Sequence, residues 1–202
     1  MKHLKTVIIT AICALTLSSQ SNAQDANNVN KTKLSIEIDP ITFVFKGYSL
    51  HLRVQPKNSQ HLLVGLGTYA MDMPDALVNF NKKNKNKQWD VRINQGYSLF
   101  GEYHFAEVNQ KWFVGTQIGI QQFKIENSTA AGNEKFENIL AMGYLGYTLK
   151  PFKNNLYIKP WAGIGYTSKL SGTNTLKTLE YDIAPITMFA TLHIGYTFKS
   201  KQ

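Results

Sequence analysis

Apolar and polar positions alternate along most of this chain. From Lys111 to Phe123, Trp112, Val114, Thr116, Ile118 and Ile120 make one face, and Phe113, Gly115, Gln117, Gly119 and Gln121 the other. A period of two with one apolar side is the mark of a strand with two different environments. Residues 90–105 repeat it, with Val91, Ile93, Tyr97, Leu99, Tyr103 and Phe105 against Asp90, Arg92, Asn94, Ser98, Glu102 and His104. So do residues 156–166 and 186–198, the latter with Ile186, Met188, Ala190, Leu192, Ile194, Tyr196 and Phe198 on the apolar side. Residues 48–55 set Tyr48, Leu50, Leu52 and Val54 against Ser49, His51, Arg53 and Gln55. Residues 138–149 alternate with Ala141, Leu145, Tyr147 and Leu149 as the outer set, and 61–71 fit either phase. Residues 34–45 change phase, which predicts a bulge at Asp39-Pro40, because proline cannot donate to a strand ladder. Eight segments of strand character result, separated by Asn, Lys, Gly and Ser clusters.

The apolar phase either lines the inside of a soluble barrel or faces lipid. Three features favour lipid. The polar phase carries full charges in mid-strand, at Glu37, Asp39, Arg53, Asp90, Arg92, Glu102 and Lys159. Tyr103, Phe105, Trp112, Tyr147, Tyr196 and Phe198 all belong to the apolar phase and all fall at one set of strand ends, as rings do at a lipid–water interface. Connections alternate in length: 72–88, 125–137 and 168–179 are long, 56–60, 106–110 and 150–155 short. Long external loops and short periplasmic turns give that asymmetry; Lys46-Gly47, a very short external turn, is the exception. The predicted fold is all-β: an eight-stranded antiparallel up-and-down transmembrane β-barrel over residues 33–202, closed so that no strand edge is left free.

The N-terminus fixes the compartment. Lys2 and Lys5 precede an apolar run from Val7 to Leu17, too short for a span of about 20 residues. Ser21-Asn22-Ala23 supplies the small residues of a cleavage site, so 1–23 reads as a signal peptide removed before Gln24. Residues 24–32 are polar and aperiodic, an expected disordered lead-in. The one cysteine, Cys13, leaves with the signal, which excludes disulfides, thiolate metal sites and a cysteine nucleophile from the mature chain. The formal charge of +9 becomes +7 without Lys2 and Lys5. Nucleic acid is not an expected partner of an exported chain. Lys82, Lys83, Lys85 and Lys87 concentrate the excess in one loop, either as a solvated tip or as a patch for anionic lipid or polysaccharide phosphates. The same loop predicts a short helix capped by Asp72, with Met73, Leu77 and Phe80 on one face.

P-loop, dinucleotide, zincin and nucleophile-elbow motifs are absent from the sequence. One constellation has chemistry in it. Ser49 and His51 share the polar phase, and a hairpin turning at Lys46-Gly47 sets Asp39 opposite Arg53 and Glu37 near Gln55. Serine, histidine and an acid are the minimal set for acyl transfer. The competing expectation pairs Asp39 with Arg53 and leaves Ser49 and His51 as hydrogen-bonding lumen residues. No catalytic role is assigned; Ser49, His51 and Asp39 are the candidates, and no cofactor or metal is expected. His104 and His193 also lie on the polar phase, without the three or four converging ligands a metal requires.

The signal, the strand count and the closing segment Ala190 to Phe198 (ATLHIGYTF) resemble the small eight-stranded outer-membrane barrels of the OmpX, OmpA-domain and OmpW types. Those families end on an aromatic strand read by the barrel assembly machinery; here Lys199 to Gln202 follow Phe198. The resemblance implies an outer-membrane location, contact with lipid and lipopolysaccharide, and a monomeric barrel. The expected function is a structural or surface-interaction role carried by the long loops. The alternatives are lateral passage of small hydrophobic molecules and a lipid-modifying enzyme. The deacylase type uses His-x-Ser, the reverse of the Ser-x-His order at Ser49 and His51.

Overall fold

A computed structural model describes residues 31–152 and 154–198. The expected signal peptide, 1–23, the expected lead-in 24–32 except Lys31 and Thr32, and the tail after Phe198 lie outside the described residues. The barrel strands are β1 (Lys33–Ile38), β2 (Tyr48–Gln55), β3 (Leu62–Asp72), β4 (Trp89–His104), β5 (Lys111–Asn127), β6 (Ala130–Thr148) and β7 (Leu156–Gly172). A two-stranded hairpin, β8 (Thr175–Leu176) and β9 (Leu179–Glu180), precedes the closing strand β10 (Ile186–Thr197). Each barrel strand pairs antiparallel with its neighbours in the order β1-β10-β7-β6-β5-β4-β3-β2, and the ring closes. Closure is made by four pairs, from Ser35 opposite Thr197 to Ile38 opposite Ile194.

The two faces follow the alternation. On β5 the residues Val114, Thr116, Ile118 and Ile120 are exposed, while Phe113, Gly115, Gly119 and Gln121 are buried inside. The exterior therefore presents an apolar belt that water would not tolerate over this extent. Toward the end with the long loops the pattern inverts. Past Ile120 the outward residues of β5 are Gln122, Lys124 and Glu126, and the inward ones Phe123 and Ile125. Phe123, Ile125, Phe136, Val91, Ile93 and Trp89 form an apolar core there. Beyond the lipid belt the same wall is thus built as a soluble barrel. At the opposite rim the predicted aromatics form edge-to-face pairs on the outside: Trp112 with Tyr147 at 5.0 Å, Tyr196 with Phe198 at 5.3 Å and Tyr103 with Phe105 at 5.8 Å.

Four expectations are corrected. Val91 and Ile93 point inward, not to lipid, because a bulge between Ile93 and Gln95 adds one residue and flips the phase of the outer part of β4. The segment 34–45 is not one bulged strand: β1 stops at Ile38 and Pro40–Val44 turns into a short helix, α1. Asp39 caps it, accepting from the Ile41 N–H at 2.8 Å, and Pro40 takes the first-turn position where a missing N–H costs nothing. The helix of the 72–88 loop, α2 (Asp75–Val78), begins after Pro74; Asp72 ends β3 and pairs with Arg92 instead of capping. Of its expected face, Met73 packs on the apolar core while Phe80 is 70% exposed. The 125–137 connection is mostly strand, since β5 and β6 run on to a tight turn at Ser128-Thr129.

Candidate functional site: the lumen and its lateral gap

The half of the lumen toward the aromatic rim and the short turns is filled by charge. Glu37 on β1, Arg53 on β2, Glu102 on β4 and Lys159 on β7 are all inward positions of the period-two pattern, and all are buried. Arg53 pairs with both Glu37 and Glu102. Lys159 Nζ donates to both Glu102 oxygens at 2.7 Å and lies 3.6 Å from Glu37. His104 and the Tyr144 hydroxyl complete the shell of Glu102, at 3.1 and 3.0 Å. Only about 20 Å³ of free space remains among these groups. The expected Asp39–Arg53 pair does not form. Because residues 39–47 contain a helical turn, Glu37 falls opposite His51 and Ser35 opposite Arg53.

Above this plug the structure does bring Ser49, His51 and Asp39 to one floor. The Ser49 hydroxyl lies 3.3 Å from His51 Nδ1, and Gly67 leaves the space for the ring: a Cβ there would come within 2.1 Å of it. Asp39, however, turns to Thr191, whose hydroxyl donates to it at 2.6 Å. His51 stacks on His193 with ring centroids 4.7 Å apart, and no described acid hydrogen-bonds it. Among the described residues, Ser49 and His51 thus lack the third, orienting member of an acyl-transfer triad. Ser49→Ala and His51→Ala are expected to leave the lipid A acylation pattern of the host membrane unchanged, as read by mass spectrometry; a changed pattern in either would restore the enzyme reading.

Glu37, His51 and His193 bring ligand atoms within 4.8 Å of one another, the one such metal-type group among the described residues. Its geometry serves hydrogen bonding better. Stacked rings aim their in-plane lone pairs side by side, and Glu37 is already held by Arg53 and Lys159. His193 accepts the Trp161 indole N–H at 3.1 Å on Nε2, so its Nδ1 proton goes to Glu37 at 3.0 Å. His193, Trp161 and Thr191 were the functional neighbours the sequence did not single out together. All three lie on inward phases of β7 and β10, a signal that becomes specific only when closure brings β10 beside β1.

The floor opens upward into a cavity of about 590 Å³ with a largely apolar wall, including Tyr69, Met71, Ile93, Leu140, Met142 and Phe189. Leu77 of α2 and Pro74 roof it. One side of that cavity is not ordinary barrel wall. β10 pairs with β7 along Ile186 to Tyr196, but with β1 only from Ile194 onward. Alternate peptide groups of Ile186–Leu192 therefore face a strand that is not there. α1 occupies the gap, and its backbone hydrogen bonds run within 39–47 and, at Phe45, to Asp72 of β3. Ile186 and Met188 are about half exposed on the outside of β10, as are Phe43 and, more strongly, Val44 on α1, so the gap lies within the apolar belt. Cavity-lining residues come from both of its edges: Ile41, Thr42 and Phe45 on one, Met188, Phe189 and Ala190 on the other.

The lysine tract belongs to a separate, external cleft of about 720 Å³, with Lys82, Lys83 and Lys87 on one side and Thr178 to Glu180 on the other. Its two loops are clasped: Asn84 accepts from the Asp182 N–H at 2.9 Å and donates to its carbonyl at 2.8 Å, and Lys83 pairs with the Asp182 carboxylate at 3.0 Å. Hydrogen bonds from Asn81 and Lys83 hold that carboxyl below its ordinary range.

A closed ring of eight antiparallel strands, apolar outside, charged within and rimmed by aromatics, defines an outer-membrane β-barrel. Among solved structures the chain is similar to the N-terminal β-barrel domain of Pseudomonas aeruginosa OprF, at 15% identity and a TM-score of 0.41, over 84% of this chain and 98% of that one. It is also similar to a major outer membrane protein from Thermus thermophilus, at 12% identity and a TM-score of 0.47, over 83% and 100% of the two chains. No protein-family model and no curated protein matches the sequence.

Proposed function

We propose that this barrel exchanges small hydrophobic molecules between the outer leaflet and its apolar cavity, through the gap between α1 and β10. The observation that carries this reading is the early end of β1 at Ile38, which leaves the outer part of β10 without a neighbour at lipid depth. Unpaired backbone in the hydrocarbon region is costly unless it lines a cavity or is covered by protein. Here it does both, and the covering element is five residues long. The buried ion cluster below leaves only about 20 Å³ of free space among its groups, which supports a cavity that communicates outward and sideways rather than a conducting pore. A cavity of about 590 Å³ falls within the size range of small-molecule sites.

The cavity can be filled without touching its polar floor. Met142 is an inward, buried residue of β6 on the cavity wall. Met142→Trp is expected to weaken binding of an apolar dye such as N-phenylnaphthylamine at least severalfold in lipid discs, while the barrel still folds, since overpacking costs about 1–3 kcal/mol. Equal dye binding by the variant and the parent would count against the cavity as the site. A second reading, contact with lipopolysaccharide phosphates, draws support from the three lysines of the external cleft.

A further inference from the structure

We infer that the cavity selects an apolar molecule that ends in a hydrogen-bond donor, a hydroxyl or an ammonium group, and discriminates against one that ends in a carboxylate. The inference rests on the lateral-cavity reading and concerns the polar floor, where Asp39, Ser49, His51, Thr191 and His193 all meet the cavity.

Charge decides the sign. The buried lumen groups comprise three carboxylates, Glu37, Asp39 and Glu102, against two fixed cations, Arg53 and Lys159. Both cations are used below the floor by Glu37 and Glu102. Asp39 is the carboxylate left over, and it is the one that lines the cavity. Its neighbours satisfy it only in part. Oδ1 accepts the Ile41 N–H at 2.8 Å and Oδ2 the Thr191 hydroxyl at 2.6 Å, which leaves about two of a carboxylate's roughly four lone-pair sites open. His193 Nε2 lies 3.9 Å from Oδ2 but is itself an acceptor for Trp161, so it brings Asp39 no proton.

A second group on the floor is also unfilled. His51 is 7% exposed, and its one hydrogen-bond contact among the described residues is Ser49 at Nδ1; Nε2 has no partner. A ligand hydroxyl can donate to Asp39 and accept from an imidazole N–H at the same floor. An ammonium adds the charge that the lumen lacks. A carboxylate brought beside Asp39 in an apolar cavity meets like charge with little water to screen it. The apolar body of any of these molecules fits the wall equally, so the end group alone sets the preference.

The test uses the full mature chain in lipid discs, with Trp89 and Trp112 replaced by Phe so that Trp161, on the cavity wall, is the reporter. Dodecanol, dodecylamine and dodecanoate are titrated at about pH 8, where a free carboxylic acid is ionised. The alcohol and the amine are expected to change Trp161 emission at concentrations about tenfold or more below dodecanoate, the factor set by one charge-assisted hydrogen bond. Asp39→Asn keeps a capping side chain for α1, because Asn caps as well as Asp, and should shrink that difference to about twofold or less. Dodecanoate binding as tightly as the others, or a preference that Asp39→Asn leaves intact, would overturn the inference while leaving the cavity standing. Emission unmoved by all three would remove the lateral-cavity reading together with it.

Discussion

Ile118→Arg in β5 is expected to cripple assembly, whereas Gln117→Arg, one residue earlier, is tolerated. Ile118 lies on the outward phase and is 51% exposed in a belt flanked by Thr116, Ile120 and Ala141 of the neighbouring strand. An arginine there enters hydrocarbon at a cost of about 2–4 kcal/mol near the midplane. Gln117 points into the lumen, lines the cavity and also borders the ion cluster below it, where a long cation can reach Glu37 and Glu102. Folding into lipid vesicles, followed by the heat-dependent shift in gel mobility, separates the two outcomes. If the substituted residues behaved alike and the protein stayed soluble without detergent, the apolar face would belong to a soluble barrel.

Arg53→Met should be the most damaging change inside. The guanidinium bridges Glu37 and Glu102, and removing it leaves two buried carboxylates sharing Lys159 alone. Breaking a buried pair by deleting one partner costs about 3–5 kcal/mol, because the remaining charge stays desolvated. Adding Glu37→Gln to Arg53→Met removes the surplus charge and should recover a large part of the loss. Urea unfolding in vesicles measures both. A loss under about 1 kcal/mol for Arg53→Met would mean that water reaches the cluster and the lumen is not sealed there.

Strand count, face assignment and the aromatic rim were legible because each depends only on local alternation. Ile118 and Gln117 are assigned to opposite environments by parity alone, and the structure agrees. Parity fails where one residue is inserted: the bulge at Asn94 turns Val91 and Ile93 inward, and Gly96 beside it, one of many strand glycines in this chain, does not fix the phase on either side. The Asp39-Pro40 irregularity was visible, but its form was not. A bulged strand and a capped helical turn both explain an Asp-Pro step, and they differ by four residues in the partner of Glu37. That difference propagated into the site. Glu37, Arg53, Glu102 and Lys159 were all legible as lumen charges, yet their pairing depends on how β1 meets β10 and β2, which no local pattern encodes. The lateral gap was invisible for the same reason, since it is the absence of a partner for β10.

Access from lipid is the centre of this account, and quenching of Trp161 by bromines on lipid acyl chains measures it most directly. Each tryptophan is kept alone in turn. Trp112, 53% exposed in the aromatic rim, should be quenched wherever bromines reach its depth, and Trp89, buried in the external apolar core, should be left bright. Trp161 shares a wall with the gap residues Phe189 and Ala190. Its emission is expected to be quenched by bromines placed in the acyl region to an extent approaching Trp112. Trp161 as bright as Trp89 at every bromine depth would contradict access from lipid, because the cavity would then be closed to the membrane.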